Sequence, residues 1–292
     1  MLSSSVKGER FLNLYCYNKE LPLNPEKELL KEEDKYIAYM LRYDSIGTRV
    51  PALLALPRGE GPHPCLVFLH GHGGRKEDGL YVAEAVSPRG YAVFSIDAPC
   101  HGERGDPSEY FNPDLEKLKG NFIQTVLDLM RGLDYIESLK EVDSSRIGYL
   151  GGSMGGILGA LFTSLDTRVK ASVILVGGGD LPLLLWLSKH PAAERIRKRI
   201  TSMGLSYEQM AEITAPGDPL NFIHLHSPRP IQFHCGRYDE IVPAVTQKKL
   251  VEAAGEPKEV HWYDAGHALP LEAVSKRVLE FFEQYLKPLK LE

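Results

Sequence analysis

The chain has 292 residues, of which 43% are apolar and 25% charged, and its formal net charge is −5. This composition is typical of a globular protein long enough to bury a sizeable core, and without clustered Lys and Arg it excludes nucleic acid as an expected partner. The four cysteines show no paired spacing, which argues against a zinc ribbon or a redox dithiol.

The N-terminal stretch MLSSSVKGERFLNLYC lacks the apolar core of a signal peptide, and no segment is apolar over a length that would span a bilayer. We therefore expect a soluble, cytoplasmic protein with no membrane partner. No pattern in the sequence indicates an oligomeric state.

Short apolar runs recur along the chain and alternate with helical patterns. The first two lie close together and can form an antiparallel pair, whereas the later runs are nearly continuous in apolar residues, as in strands covered on both faces. This alternation predicts an α/β fold, a mostly parallel sheet of eight strands with helices on both faces. The predicted strands are residues 36–44, 50–57, 65–70, 91–97, 146–152, 171–178, 230–236 and 259–265.

Two amphipathic helices are predicted from apolar residues spaced three or four apart, over residues 122–136 and 274–285. No internal repeat or low-complexity linker divides the chain. The sequence therefore predicts a single domain over residues 1–292, with an N-terminal extension of about residues 1–35.

Residues 181–228 interrupt the alternation because they contain no strand pattern. Pro191 can open a helix that Gly204 ends, and Ser206 with Gln209 has the spacing of a capping box. An insertion of this length between two strands is usually functional. We expect a small helical cap here.

The glycine-rich stretch YLGGSMGGILG surrounds Ser153, after a strand pattern and before a helical one. Its centre fits G-x-S-x-G, the nucleophile elbow, a sharp turn that exposes a serine at the carboxyl edge of a sheet. A dinucleotide-binding turn would need glycine at the position of Ser153, while a simple tight turn stays open as an alternative. We predict that Ser153 is a nucleophile.

A nucleophilic serine needs a base and an orienting acid, which follow a nucleophile elbow in the order Asp or Glu, then His. Asp239 comes just after the strand predicted at 230–236, and His267 follows the last predicted strand. Both are therefore expected at the sheet edge where Ser153 lies. His267 would take the serine proton, and Asp239 would orient His267 and stabilise its cation.

Each of these assignments has an alternative nearby. Glu240 and Asp264 are carboxylates close to the proposed acid and base, and each can instead be a solvated surface group. His261 lies within a predicted strand, where packing or a local hydrogen bond is its expected role.

The stretch FLHGHGG after the third predicted strand has the character of an H-G-G-G loop, which supplies backbone N–H groups to a developing oxyanion. The predicted donors are the N–H groups of His72 and Met154. The alternative is a metal site formed by His70, His72 and His101. No acidic residue stands at a familiar ligand spacing, so we predict no metal.

Six motifs carry a resemblance to a known family: HGHGG, DAPCHGERG, VDSSRIGYLGGSMGG, DPLNFI, GRYDEIVP and AGHALP. From about Tyr36 to the C-terminus the chain resembles an α/β-hydrolase of the dienelactone-hydrolase-like and prolyl-oligopeptidase-like branch, which includes many bacterial carboxylesterases. Dienelactone hydrolases proper carry a cysteine where this chain has Ser153. The oligopeptidases carry a large N-terminal propeller, for which the residues before Tyr36 are too few.

The resemblance implies the fold and the triad more specifically than the substrate. We expect a serine carboxylesterase that hydrolyses small to medium acyl esters through an acyl-enzyme and needs no cofactor, with a small-molecule ester as its partner. The alternatives are a small aminopeptidase or amidase, a metal-dependent hydrolase and a non-catalytic binding module. In the apolar run LPLLLWL, Leu184 and Trp186 are predicted to bind substrate, although the run can also pack the cap onto the body.

Overall fold

The structure is a computed structural model that describes residues 8–287. The first seven residues of the predicted N-terminal extension and the last five residues of the chain lie outside this range. Within it, nine strands form one sheet in the order β1-β2-β3-β5-β4-β6-β7-β8-β9. They are β1 (Glu26–Glu32), β2 (Tyr36–Asp44), β3 (Arg49–Pro57), β4 (His63–Leu69), β5 (Ala92–Ile96), β6 (Val142–Gly152), β7 (Val169–Leu175), β8 (Ile231–Gly236) and β9 (Lys258–Tyr263).

The sheet is mixed. β1 to β3 pair antiparallel and β3 runs antiparallel to β5, whereas neighbours from β5 through β4 and β6 to β9 are parallel. This confirms a mostly parallel α/β sheet, and β2 and β3 are the predicted antiparallel pair. Because the parallel strands share one direction, their carboxyl ends and the loops that follow them meet at one edge.

The prediction of eight strands is wrong, because β1 adds a ninth at the edge, within the predicted N-terminal extension. Its sequence, EKELLKE, has almost every side chain exposed and no apolar face to reveal a strand. The strand pairs with β2, and the Lys27 ammonium lies 4.1 Å from the centre of the Tyr39 ring. Charged side chains on an edge strand disfavour pairing with another chain.

Helices cover both faces of the sheet. One apolar cluster packs α1 and α8 against it, and a larger cluster on the other face contains α2 and α3. The helices are α1 (Gly79–Val86), α2 (Leu115–Glu137), α3 (Met154–Leu165), α4 (Leu181–Leu187), α5 (Pro191–Met203), α6 (Tyr207–Thr214), α7 (Ala244–Ala253) and α8 (Leu271–Leu286).

The helices predicted from periodicity are confirmed. α2 buries its apolar stripe, and the Asp114 carboxylate caps the first turn by accepting two backbone N–H groups. α8 likewise buries most of its apolar residues.

The segment between β7 and β8 is helical, with α4, α5 and α6 in succession. α5 begins at Pro191 and ends at Gly204, whose φ of 64° is the left-handed cap conformation that glycine favours. Ser206 and Gln209 form the predicted capping box at the start of α6. That this segment acts as a cap on a single domain stays a prediction.

Among residues 8–287, no helix combines the length and the apolar composition needed to cross a membrane.

Candidate active site

Ser153 lies in the turn between β6 and α3, at the carboxyl edge of the sheet. Its backbone has φ 56° and ψ −118°, a combination that side-chain-bearing residues rarely adopt. The turn is held by a hydrogen bond from Ser153 N–H to Leu175 O at 3.0 Å and by one from Ile157 N–H to Ser153 O at 2.9 Å. These hydrogen bonds hold the strained backbone of Ser153 in place. Strained residues of this kind are common at functional sites.

The glycines around Ser153 are required by close backbone approach. A Cβ on Gly155 would lie 2.1 Å from Leu69 O, so α3 passes too close to β4 for any side chain there. A Cβ on Gly159 would lie 2.0 Å from the Tyr149 ring, whose hydroxyl donates a hydrogen bond to Gly155 O at 2.6 Å. The helix thus begins directly against the sheet, with Ser153 at its start.

The structure brings Ser153, His267 and Asp239 into one hydrogen-bonded chain. His267 Nε2 lies 2.8 Å from Ser153 Oγ, and His267 Nδ1 lies 2.8 Å from Asp239 Oδ2. Because a carboxylate can only accept, the neutral ring carries its proton on Nδ1 and leaves Nε2 free to accept the serine proton. β8 and β9 position the two side chains, since each side chain follows the carboxyl end of its strand.

Asp239 is buried and held by several donors. Its Oδ1 accepts the N–H groups of Ile241 and Val242 at 2.8 and 3.0 Å, which close a tight turn after β8. Its Oδ2 accepts a hydrogen bond from Gln247 Nε2 at 3.0 Å, besides that from His267. The four hydrogen bonds hold the Asp239 carboxylate in place, and through it the orientation of the His267 ring is fixed.

The alternative groups lie elsewhere. Asp264 is 78% exposed and pairs with Arg237 at 3.1 Å, and Glu240 pairs with Lys189 at 2.5 Å. His261 Nε2 lies 3.7 Å from a Glu259 oxygen within β9. None of these three predicted alternatives contacts His267 through a hydrogen bond within residues 8–287.

The loop after β4 lies against the elbow. A Cβ built on Gly71 would be 3.8 Å from Ser153 Cβ, and His72 and Met154 line the same cavity as Ser153. Within the described chain, neither His72 N–H nor Met154 N–H donates a hydrogen bond to another group. Met154 N–H is the first of the free donors at the start of α3, where the helix dipole favours negative charge.

Histidine rings pack behind this loop. The His101 ring lies 4.8 Å from that of His70 and 5.5 Å from that of His72, measured between ring centres. Burial lowers the pKa of His101 to about 4 and also lowers the pKa of His70, so both rings are neutral near pH 7.

The ring nitrogens of His70 already have partners, which bears on the metal alternative. Nδ1 donates to Gly71 O at 2.8 Å, and Nε2 accepts Ala98 N–H at 3.2 Å. Neither nitrogen has a lone pair left for a ligand bond. Among residues 8–287, no group of three His, Cys, Asp or Glu side chains is arranged to hold a metal ion.

Ser153 lines two cavities that share no other residue. The first, called the closed cavity here because it is the less open of the two, has a volume of about 40 Å³ and mostly apolar walls from α3, α4, α5 and the turn after β8. Its lining residues are His72, Phe111, Ser153, Met154, Ile157, Leu184, Leu185, Ser188, His190, Ala192, Ala193, Ile241 and Val242.

The second, called the open cavity here, measures about 250 Å³ and opens widely to solvent. It is lined by residues at the ends of β6 and β7, after these strands and β9, and in the first turn of α8: Gly152, Ser153, Leu175, Val176, His267, Leu269, Leu271 and Val274.

The two predicted substrate-binding residues differ in placement. Leu184 is buried and lines the closed cavity. Trp186 is 57% exposed and lines neither cavity. Residues two apart on a helix point to different faces, so α4 can turn only one of the two side chains toward Ser153.

Comparison with known proteins identifies the family. Residues 50–285 match the dienelactone hydrolase family. The chain belongs to this family. It is 28% identical over 241 residues to the putative esterase YitV of Bacillus subtilis, covering 76% of this chain and 89% of that protein. It is 26% identical over 216 residues to the esterase YjfP of Escherichia coli, covering 71% and 82%.

Several solved structures share the α/β-hydrolase fold of this chain. An acetyl xylan esterase from a Paenibacillus species superposes with a TM-score of 0.83 at 23% identity, over 98% of this chain and 95% of that one. Acetyl xylan esterase 1 from a Thermoanaerobacterium species gives a TM-score of 0.76 at 21% identity, over 97% and 93%.

Two residues of this dienelactone hydrolase family member were not found from the sequence. Gln247 on α7 donates to Asp239 and accepts Gly236 N–H at 3.2 Å through its Oε1. His190, at the start of α5, lines the closed cavity. Neither Gln247 nor His190 belongs to a motif. Gln247 stands out only once the structure shows that this polar side chain is buried.

Proposed function

We propose that the protein is a serine carboxylesterase in which Ser153, His267 and Asp239 form the catalytic triad. The observation that carries the proposal is the chain of two 2.8 Å hydrogen bonds that joins these side chains at the carboxyl edge of the sheet. Membership in a hydrolase family, with relatives named as esterases, supports an ester as the substrate class.

Acylation begins when Ser153 Oγ attacks the ester carbonyl while its proton passes to His267 Nε2. Asp239 stabilises the resulting imidazolium. The carbonyl oxygen becomes an oxyanion and accepts hydrogen bonds from His72 N–H and Met154 N–H, the two donors left free beside Ser153. The tetrahedral intermediate collapses when His267 returns the proton to the ester oxygen, so the alcohol leaves and an acyl-enzyme remains.

Deacylation repeats these steps with water in place of serine. His267 takes a proton from water, the hydroxide attacks the acyl carbonyl, and Ser153 leaves with the proton that His267 gives back. The products are the carboxylic acid and the restored enzyme. None of these steps requires a cofactor.

The positions of His267 and of the proposed oxyanion donors support placing the alcohol in the open cavity and the acyl group in the closed one. His267 must reach the leaving oxygen, and His267 lines the open cavity, so the alcohol occupies that side. His72 and Met154 line the closed cavity with the walls of α4 and α5, so the acyl group extends there. A volume of about 40 Å³ leaves room for about three atoms the size of a water molecule, which favours short acyl groups.

This assignment narrows the expectation of small to medium acyl chains to short ones. Two structures of the same fold are named acetyl xylan esterases, which agrees with a short acyl group. A peptidase would need a group to hold a substrate amine, and no carboxylate lines either cavity in the described part of the chain. The ester is therefore the better supported substrate.

The test compares Ser153→Ala with Ser202→Ala, an exposed serine on α5, using phenyl acetate as substrate. We expect kcat of Ser153→Ala to fall on the order of 10⁶-fold with unchanged thermal unfolding, and Ser202→Ala to match the wild type. Near-normal turnover by Ser153→Ala would contradict the proposal.

A fluorophosphonate probe separates a serine enzyme from a metal-dependent hydrolase and from a binding module. A serine enzyme is labelled on Ser153 with or without a chelator. Activity that a chelator abolishes indicates a metal-dependent hydrolase, and a chain that neither turns over esters nor takes the label is a binding module.

A further inference from the structure

His190 is one of the few polar side chains in the mostly apolar wall of the closed cavity. It is the N-cap residue of α5, and its neighbours in the wall include Ala192 and Ala193 from the first turn of the same helix. Nothing in the triad chemistry uses it. Its ring lies 4.9 Å from the His72 ring at an angle of 85°, beside the loop that supplies a proposed oxyanion donor.

The position of His190 is fixed by hydrogen bonds on its backbone and its ring. His190 N–H donates to Ser188 Oγ at 3.1 Å, and the Ser188 hydroxyl donates to Ile241 O at 2.6 Å. His190 Nδ1 accepts Ala192 N–H at 3.1 Å, which caps the helix. The ring of His190 is therefore held by α5, and its backbone is linked through Ser188 to the turn that carries Asp239.

The cap decides which ring nitrogen carries the proton. A backbone N–H can only donate, so Nδ1 must be unprotonated and the neutral ring holds its proton on Nε2. Burial lowers the pKa of His190, and nearby His72 and His267 lower it further, so the neutral form dominates near pH 7. Within residues 8–287, Nε2 has no hydrogen-bond partner. Nε2 is not one of the buried unpaired atoms, so this fixed donor is accessible to solvent on a residue that lines a mostly apolar cavity.

We propose that His190 Nε2–H recognises an oxygen on the acyl group, so that the enzyme prefers acyl groups with an ether, hydroxyl or keto oxygen within about three atoms of the carbonyl over alkyl chains of equal size. The inference rests on the proposed function and on the acyl group entering the closed cavity. A fixed donor left unpaired in an apolar wall disfavours an alkyl chain, because the chain displaces the water that would otherwise accept from it.

Phenyl methoxyacetate and phenyl butyrate test the proposal, because their acyl groups differ by one oxygen in place of one methylene. The ratio of their kcat/KM values is divided by the ratio of their rates with hydroxide, which removes the intrinsic difference in reactivity. We expect a corrected ratio of about ten for the wild type, as for one uncharged hydrogen bond.

Two variants remove the donor in different ways. His190→Asn can keep the helix cap through its side-chain oxygen but is too short to reach the cavity, and His190→Phe keeps the ring but has no N–H. Both should lower the corrected ratio to about one. Phe111→Leu, which alters another ring in the same wall, should change both esters together and leave the ratio unchanged.

The outcomes separate this inference from the function on which it rests. A corrected ratio near one in the wild type, or a ratio that both variants leave unchanged, overturns the role of His190. Equal slowing of both esters in the variants also overturns it, because His190 would then assist the oxyanion. If the wild type hydrolyses neither ester, the proposed function itself fails, and the inference fails with it.

Discussion

The closed and the open cavity meet at Ser153 but differ in size, origin and exposure. The closed cavity, of about 40 Å³, takes most of its wall from the helical segment between β7 and β8 and from the turn after β8. The open cavity, of about 250 Å³, is formed by loops at the sheet edge and the start of α8. With the acyl group in the closed cavity and the alcohol in the open one, as proposed, the acyl half of an ester would be selected more strictly than the alcohol half.

A change in the proposed triad should slow every ester by the same factor, whereas a change in the wall of one cavity should act on one half of the ester only.

The largest effect is expected for Asp239→Asn. An amide in place of the carboxylate holds His267 in the wrong tautomer, so kcat should fall by about 10⁴ for acetate and butyrate esters alike and for every alcohol. The measurement is initial velocity with a panel of esters, together with a thermal melt to show that the fold persists.

Two nearby carboxylates are the matched controls for Asp239. Asp264→Asn and Glu240→Gln remove charges that are exposed and paired with surface cations, and each should change kcat by less than about threefold. A greater loss in Asp264→Asn than in Asp239→Asn would mean that the orienting acid is wrongly assigned.

A smaller and selective effect is expected for Ala193→Val in the wall of the closed cavity. Two added methyl groups overfill a small space, at a cost of about 2 kcal/mol for an acyl group that needs that space. The ratio of kcat/KM for butyrate over acetate should therefore fall about thirtyfold.

The control for Ala193→Val adds bulk to the wall of the open cavity. Leu271 lines the open cavity and is 78% exposed, so Leu271→Phe should leave the butyrate-to-acetate ratio within about threefold. Equal sensitivity of the ratio to both changes would contradict the assignment of the acyl group to the closed cavity.

The strands and helices with a clear apolar period were predictable from the sequence. β2 to β9 carry apolar runs, and α5 and α6 carry the proline, glycine and capping signals that bound them. β1 was not predictable in this way, because its stability comes from backbone pairing with β2 while its side chains stay in solvent. Apolar periodicity in a sequence reflects burial, and the side chains of an exposed edge strand are hardly buried.

The residues of the candidate site also fall into those that could be predicted from the sequence and those that could not. Ser153, Asp239 and His267 were proposed from a motif and from chain order, because a parallel sheet brings the ends of its strands to one edge. Gln247 contacts Asp239 from only eight residues away, and the His190 ring accepts Ala192 N–H two residues on, but neither residue belongs to a motif that marks it in the sequence. Helix phase alone could have separated Leu184 from Trp186, since residues two apart on α4 face different ways.

The smallest effect is expected for Trp186→Ala, and Leu184→Ala is its matched partner on the same helix. Leu184 lines the closed cavity, so its truncation should admit longer acyl chains, with a gain of up to ~0.8 kcal/mol for each methylene newly buried. The ratio of kcat/KM for hexanoate over butyrate should then rise several-fold. Trp186 points to solvent, so Trp186→Ala should leave that ratio unchanged. A rise in Trp186→Ala equal to that in Leu184→Ala would show that the indole covers the acyl site during turnover, and the closed cavity would then not be the boundary that sets acyl length.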